Sequence, residues 1–464
     1  MLVTLLAPFL FPAASYAATV EVSPGDDIVS LTASLAPGSE VVFAPGTYTI
    51  DRTLEWTGAG TASAPIRLRG SGGVIIEATA GNPIARVRGA SGVVVEGITF
   101  RGAPSYLEAG DHFTGLIVED ASDVTLRDVV VRDVGGTGVA LYGDNAGITL
   151  EHVEVTATRD GTGLYVGCWD ASCWTRDSVL QGLWIHDLGG DGAIGVHLDA
   201  GTQGVTLRDA VIHGVVNRGI QVESTEYGPA NVIERNAVFL TGDGIGVHGA
   251  AIVRNNVVFD TTDEGLRSHP MDGRVLEGVV ISHNTVLRSA SWALEIDDWN
   301  GTEGMVVANN VFANPTGYGA RATDAELEGA GWFSHNVVTG LVDGLADRVD
   351  AVIPGAGFAD FVDAAAGDLY PRRSGGLPNA GDADPSSQSP GDDFQGFERD
   401  VGSPDVGAFE WVSDENPGSP VGPGFKAEPG PIPAADGVGG CRGDRAGIWP
   451  ALVLLAARRR RHGR

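Results

Sequence analysis

The 464-residue chain contains a single lysine, Lys426, and it lies in a Pro/Gly-rich stretch near the C-terminus. A lysine base within the body of the protein is therefore excluded. Basic charge is scarce throughout: 30 Lys and Arg face 60 Asp and Glu, for a formal net charge of -30. This excludes nucleic acid as a partner, because binding a polyphosphate requires a basic face that releases counterions. Neutral glycans, or acidic ones bridged by Ca²⁺ that carboxylates bind well, remain compatible with the charge. Long apolar runs are also missing. The stretch Ala446 to Ala457 holds 12 residues, short of the roughly 20 that span a bilayer core. Cysteines number three. Cys168 and Cys173 are close enough to bridge in an oxidising compartment, which leaves Cys441 over.

What is abundant is glycine, 68 residues, alongside a 43% hydrophobic content rich in Val and Ile. Strands and turns dominate such a composition, and a helical globule is argued against. A phrase of strand, polar bend, strand, Gly-rich turn and strand returns about every 27 residues, a solenoid period. Its clearest copies are Arg235-Asn236-Ala237-Val238-Phe239, Asn255-Asn256-Val257-Val258-Phe259, His283-Asn284-Thr285-Val286-Leu287, Ala308-Asn309-Asn310-Val311-Phe312 and His335-Asn336-Val337-Val338. Gly97, Asp128, His152, Gly182 and Asp209 mark earlier copies. β-branched runs of three to five residues suit parallel strands buried on their inner faces, and such repeats must stack to bury them. Asn236, Asn256, Asn284, Asn309 and Asn336 are expected in left-handed bends, their amides bonded from coil to coil as a structural ladder.

The phrases Pro45-Gly46-Thr47-Tyr48 and Ala64-Pro65-Ile66, together with the repeated asparagine bends, resemble the right-handed parallel β-helix proteins of the pectate-lyase-like superfamily. The resemblance implies an all-β right-handed parallel β-helix of about 10–12 coils over residues 18–345. Leu377-Pro378-Asn379-Ala380-Gly381, Arg399-Asp400-Val401-Gly402 and Asp405-Val406-Gly407-Ala408-Phe409-Glu410 are similar to the C-terminal closing region of secreted bacterial β-helix proteins, here residues 346–412. In that superfamily one sheet commonly lines a glycan groove, so a polysaccharide or cell-surface glycan is the implied partner.

Both ends read as addresses. Residues 1–17 resemble a signal peptide without its basic region, with Ser15-Tyr16-Ala17 at the cleavage point. Residues 413–440 read as a Pro/Gly tether. Residues 441–464 combine Cys441, a short apolar segment and the cluster Arg458 to Arg461. That order resembles myxobacterial C-terminal sorting signals processed near the cysteine; the alternative is a plain tail anchor. Either places the body outside the cytoplasm, at the cell surface or outer membrane of a Gram-negative bacterium, with the membrane as partner before processing.

Chemistry is expected on the strand after each Gly-rich turn. Alternation turns Val139, Leu141, Leu164, Val166, Val196, Leu198, Ile220, Val222, Ile245, Val247, Leu266, Ser268, Leu294 and Ile296 inward, and the residues between them outward. Polysaccharide lyases need a base beside a carboxyl group and a cation or other electrophile for the enolate. Arg267, His248, His269 and Glu223 are the catalytic candidates. Tyr165, His197, Gln221, Glu295, Arg321 and Trp299 are the substrate-binding ones, and Asp199 and Asp297 the calcium ligands. Glu223, Glu295 and Asp297 alternatively furnish the carboxyl pair of a glycosidase. Convergence of His197, His248 and His269 would instead suit a transition metal. His186-Asp187 resembles part of a triad without a nucleophile elbow, and Asp243 is a turn residue. A non-catalytic adhesin or spacer is the reading from another class. Ionisable groups converging on adjacent coils favour catalysis, and charges already paired favour binding.

Overall fold

A computed structural model describes residues 17–422, apart from residues 34, 109–112, 224–227, 272–275, 300–303, 323–330, 346–349 and 414–419. The expected signal peptide through Tyr16, almost all of the tether, Cys441 and the arginine tail lie outside the described residues. Among the described residues no helix is long and apolar enough to cross a membrane.

Among the described residues, thirty-five strands form one continuous parallel sheet wound into a right-handed β-helix of about eleven turns. Each full coil supplies three strands, so the coil has three faces. One coil runs through Thr206–Arg208 and then the long strand Val211–Val222, whose register breaks between Val215 and Arg218 as the chain turns a corner. The inward residues named above are buried throughout. One continuous apolar core therefore runs up the inside, and each coil is stabilised by its neighbours rather than by itself.

The corner between the first and second faces carries the asparagine ladder on the residues the sequence named, except that Asn310 replaces Asn309, and the left-handed bend lies one residue before each rung. The left-handed residues are Asp209 (φ 54), Arg235 (56), Asn255 (53), His283 (52), Asn309 (58) and His335 (51). The residue after each bend turns inward, so the ladder is Asn236, Asn256, Asn284, Asn310 and Asn336, not Asn309. The backbone N–H and Nδ2 of Asn256 both donate to Asn284 Oδ1 at 3.0 Å, and its Nδ2 also donates to the Ile233 carbonyl at 2.8 Å. These amides satisfy corner backbone groups that are sealed from water and would otherwise cost a desolvation penalty each.

The first face carries a second ladder that sequence reading did not isolate. Arg69, Glu96, Arg127, Glu151, Gln181, Arg208, Glu234 and Arg254 are register partners on successive coils. Arg127 meets Glu151 at 2.7 Å, Arg208 donates to Gln181 at 2.7 Å and Arg254 meets Glu234 at 2.7 Å. Opposite charges on adjacent strands favour the observed register, whereas a slip of one coil would bring like charges together.

A further segment follows the last coil strand, Val352–Pro354. It folds back along the outer side of the second face through the hairpin Phe361–Asp363 and Asp368–Pro371. Phe361, Tyr370, Leu377, Phe394, Val406 and Phe409 there form a second apolar core with Val211, Phe239, Phe259, Leu287, Val311 and Val337 of the coils. Polar latches reinforce it: Asn255 Nδ2 donates to the Asp392 carbonyl at 2.7 Å, and Ala408 N–H to Thr285 Oγ1 at 2.8 Å. The third face is left uncovered by this flank.

Candidate functional site

On the third face, Tyr165, His197, Gln221, Gly246, Arg267, Glu295, Arg321 and Asp343 are register equivalents, one per coil. Two residues further along stand Asp199, Glu223, His248, His269 and Asp297. Their N–H groups donate to the carbonyls of Val166, Leu198, Val222, Val247 and Ser268 at 2.7–3.2 Å, which fixes this second row beside the first. The structure thus gathers all thirteen positions on one face, and eleven of them, all but Gly246 and Asp343, were singled out from sequence. Outward does not mean solvated here: Asp199, Gln221, His248 and Glu295 are buried among their neighbours.

At one end the groups interlock. Tyr165 Oη donates to Asp199 Oδ2 at 2.6 Å, and Ala200 N–H to Asp199 Oδ1 at 2.6 Å. His197 Nε2 lies 3.1 Å from Glu223 Oε1, which also accepts from Gln221 Nε2. Burial disfavours the Glu223 charge, but the hydrogen bonds and charge of His197, with Gln221, outweigh it and hold the carboxyl at about 2. Burial, then the Asp199 carboxylate, pushes the Tyr165 phenol up and keeps it a proton donor. Ligand atoms of His197, Asp199 and Glu223 all lie within 4.8 Å of one another, a spacing able to hold a divalent cation. Asp297 does not share that cluster.

The middle of the face is built around Gly246. A Cβ there would come within 2.9 Å of His248 Nε2, so the imidazole occupies the space that a side chain at 246 would take. His248 Nδ1 donates to the His269 carbonyl at 2.9 Å, and its Nε2 is buried with no hydrogen-bond partner among the described residues. Burial holds His248 down to about 4. His269, stacked edge-on at 4.3 Å, is lowered too, by burial and then by the charges of Arg267 and Arg218. Further along, Glu295 joins two arginines: Arg267 Nε at 3.2 Å and Arg321 Nη1 at 3.0 Å. Burial, then Asp297, raises Glu295, while the arginines pull it back.

Trp299 corrects an expectation. Only 1% exposed, it donates through Nε1 to Ser268 Oγ at 2.9 Å and packs beside Phe333, so it offers no face to a sugar. Trp169 is 76% exposed instead, on the loop closed by the Cys168–Cys173 disulfide, which the structure forms. His186-Asp187 lies on the second face, where His186 stacks between Trp184 and His213. Sequence reading also missed Asp243, Asp263 and Glu264, an oxygen-only cluster at the opposite edge of the face. Burial, then hydrogen bonding with Asp243, pushes Glu264 up to about 7. Its signal was available in the shared position of Asp243-Gly244 and Glu264-Gly265 before successive strands.

The family model described as a right-handed β-helix region matches residues 114–269. Among solved structures, a pectate lyase, Pel9A, aligns over 85% of this chain and 97% of its own at 15% identity and a TM-score of 0.52. An alginate lyase from Paenibacillus aligns over 60% and 97% at 18% identity, TM-score 0.47. The A-module of the mannuronan C-5 epimerase AlgE6 from Azotobacter vinelandii aligns over 68% and 91% at 18% identity, TM-score 0.49. No curated protein sequence is significantly similar to the chain. At 15% identity the likeness to Pel9A shows the fold alone, and the site must argue for itself.

Proposed function

We propose that this is an exported, carbohydrate-active protein whose third face binds an acidic polysaccharide and removes the proton beside a uronate carboxylate, as a polysaccharide lyase does. The observation that carries the reading is the pairing of Arg267 with His269, two residues apart on one strand edge, the imidazole held neutral by burial and by neighbouring cations. A neutral imidazole can take a proton, and a guanidinium beside it can hold the carboxylate whose charge builds up as the enolate forms. Tyr165, kept protonated, His197 and Gln221 would line the sugar path on the preceding coils, and Arg321 two coils further on. Export fits this reading: residues 1–17 act as the signal, 18–345 as the coil, 413–440 as a tether, and 441–464 as the sorting or anchoring tail.

The calcium expected with such chemistry finds carboxylates in Asp243, Asp263 and Glu264, an oxygen-only set that suits a hard cation. Bound there, it would screen polymer charge at the edge of the face. The binding-only reading retains one specific support, the clamp of Glu295 on Arg267 and Arg321, which leaves those charges partnered. Absorbance near 235 nm, followed while the full chain is incubated with a panel of polyuronates, separates the two. An increase that His269→Ala and Arg267→Ala abolish supports the lyase. A flat trace with no new reducing ends but retained polymer binding overturns it in favour of an adhesin.

A further inference from the structure

We propose that His197, Asp199 and Glu223, joined by His248, form a site for a borderline divalent transition cation such as Zn²⁺, distinct in chemistry from a calcium site. The reading shares the third face with the proposed lyase but requires neither a glycan nor its cleavage. Three observations carry it.

The first is the donor set. Ca²⁺ selects six to eight oxygens, whereas one imidazole with two carboxylates is the ligand type of zinc and its neighbours. The three side chains already bring their ligand atoms within 4.8 Å of one another from two adjacent coils. His197 Nε2 and Glu223 Oε1 already lie 3.1 Å apart, on the two sides of the position the cation would take.

The second is the state of His248. Its Nδ1 faces the His269 carbonyl, an oxygen that can only accept, so Nδ1 carries the hydrogen and Nε2 carries a lone pair. A ring nitrogen donating to a backbone carbonyl while the other binds is the arrangement that orients metal-ligating histidines. That lone pair is buried, in a residue 1% exposed, without a hydrogen-bond partner among the described residues. An unpaired buried acceptor costs stability unless something fills its place.

The third is placement. His248 Nε2 lies over Gly246, the register partner of Gln221, whose amide donates to the Glu223 carboxylate. His248 and Glu223 thus stand at equivalent positions on adjacent coils, each two residues past the register partners Gly246 and Gln221. Gly246 leaves room for the imidazole, since any side chain there would collide with it.

The test is isothermal titration of the untagged full chain, stripped of metal and carrying Cys441→Ser to remove the free thiol as a ligand. Zn²⁺ should bind at about one equivalent and at least roughly tenfold tighter than Ca²⁺. His197→Ala and His248→Gln should each weaken Zn²⁺ roughly tenfold or more, whereas Asp297→Asn should leave it unchanged. His197, partly exposed, keeps the test valid if the His248 variant is poorly folded. Absence of saturable Zn²⁺ binding, preference for Ca²⁺, or indifference to His197→Ala would overturn the assignment. A lyase assay run in parallel reads the glycan hypothesis separately, because metal uptake is measured without polymer.

Discussion

Asn284 and Asn310 stand on adjacent coils with both the backbone N–H and the Nδ2 of Asn284 donating to the Asn310 side-chain oxygen, at 2.9 and 3.0 Å. Neither residue is exposed, so every bond in the pair is made where water cannot replace it. Replacing Asn284 by Leu would strand the backbone N–H of Asn256 and remove the side-chain donor to the Val253 carbonyl, while Asn256 Nδ2 keeps the Ile233 carbonyl and Asn310 Oδ1 keeps the backbone N–H of residue 284. The loss should be roughly 3 kcal/mol or more, read as a lowered urea midpoint. A change under about 0.5 kcal/mol would show that the ladder is incidental to stability.

His213 sits on the second face between His186 and Phe239, and accepts from Trp184 Nε1 at 3.3 Å. Burial, then the nearby His186 charge, lowers it to about 4. The unfolded chain takes up a proton at this residue as pH falls below about 6.5, while the folded protein refuses it until about 4. Its contribution is thus whole above pH 6.5 and is lost progressively toward pH 4, up to about 3 kcal/mol. His213→Phe preserves the stack and removes the titration. Urea unfolding at pH 7 and at pH 4.5 should therefore show a smaller acid loss in the variant.

Arg399 is buried where the flank meets the coils, donating to Glu410 Oε2 at 3.1 Å and to Asn255 Oδ1 at 2.8 Å. Arg399→Met would leave the Glu410 carboxylate buried and unpaired, a penalty of about 3–5 kcal/mol. Because that energy is local to the flank, hydrogen exchange should accelerate over 361–412 while the coil interior stays protected. Uniform acceleration across the coils would show instead that the flank is part of one cooperative unit.

Glu295 holds Arg267 and Arg321 in place but is itself raised by burial, so Glu295→Gln sacrifices little stability. The substitution releases two guanidinium groups on the third face. Polyuronate binding at low salt should tighten by about two- to fivefold, with a steeper salt dependence. Unchanged affinity would mean that the polymer, if bound, avoids this half of the face.

The coil was legible in the sequence because its determinants are local and repeated. Period-two alternation places Val196 and Leu198 inside and His197 outside, and a recurring phrase brings His197 beside Gln221 once the coils stack. The bend was misread by one residue because Asn, Arg and His all occupy the left-handed position, so residue type alone does not mark it. The site was only half legible. Which residues share the face follows from register, but which of them pair follows from side-chain reach across coils, as with His197 and Glu223 or Arg267 and Glu295.

Sequence alone therefore determined the parallel coil, its apolar interior and the polar row from Tyr165 to Arg321, because stacking repeats convert sequence equivalence into spatial adjacency. Tertiary structure alone decided the rest. It laid the flank along the second face, where Arg235 meets Asp392 across 157 residues. It put Trp299 in the core, and it brought Asp243, Asp263 and Glu264 together. Contacts of that range depend on where non-repeating segments come to rest, and no local period encodes it.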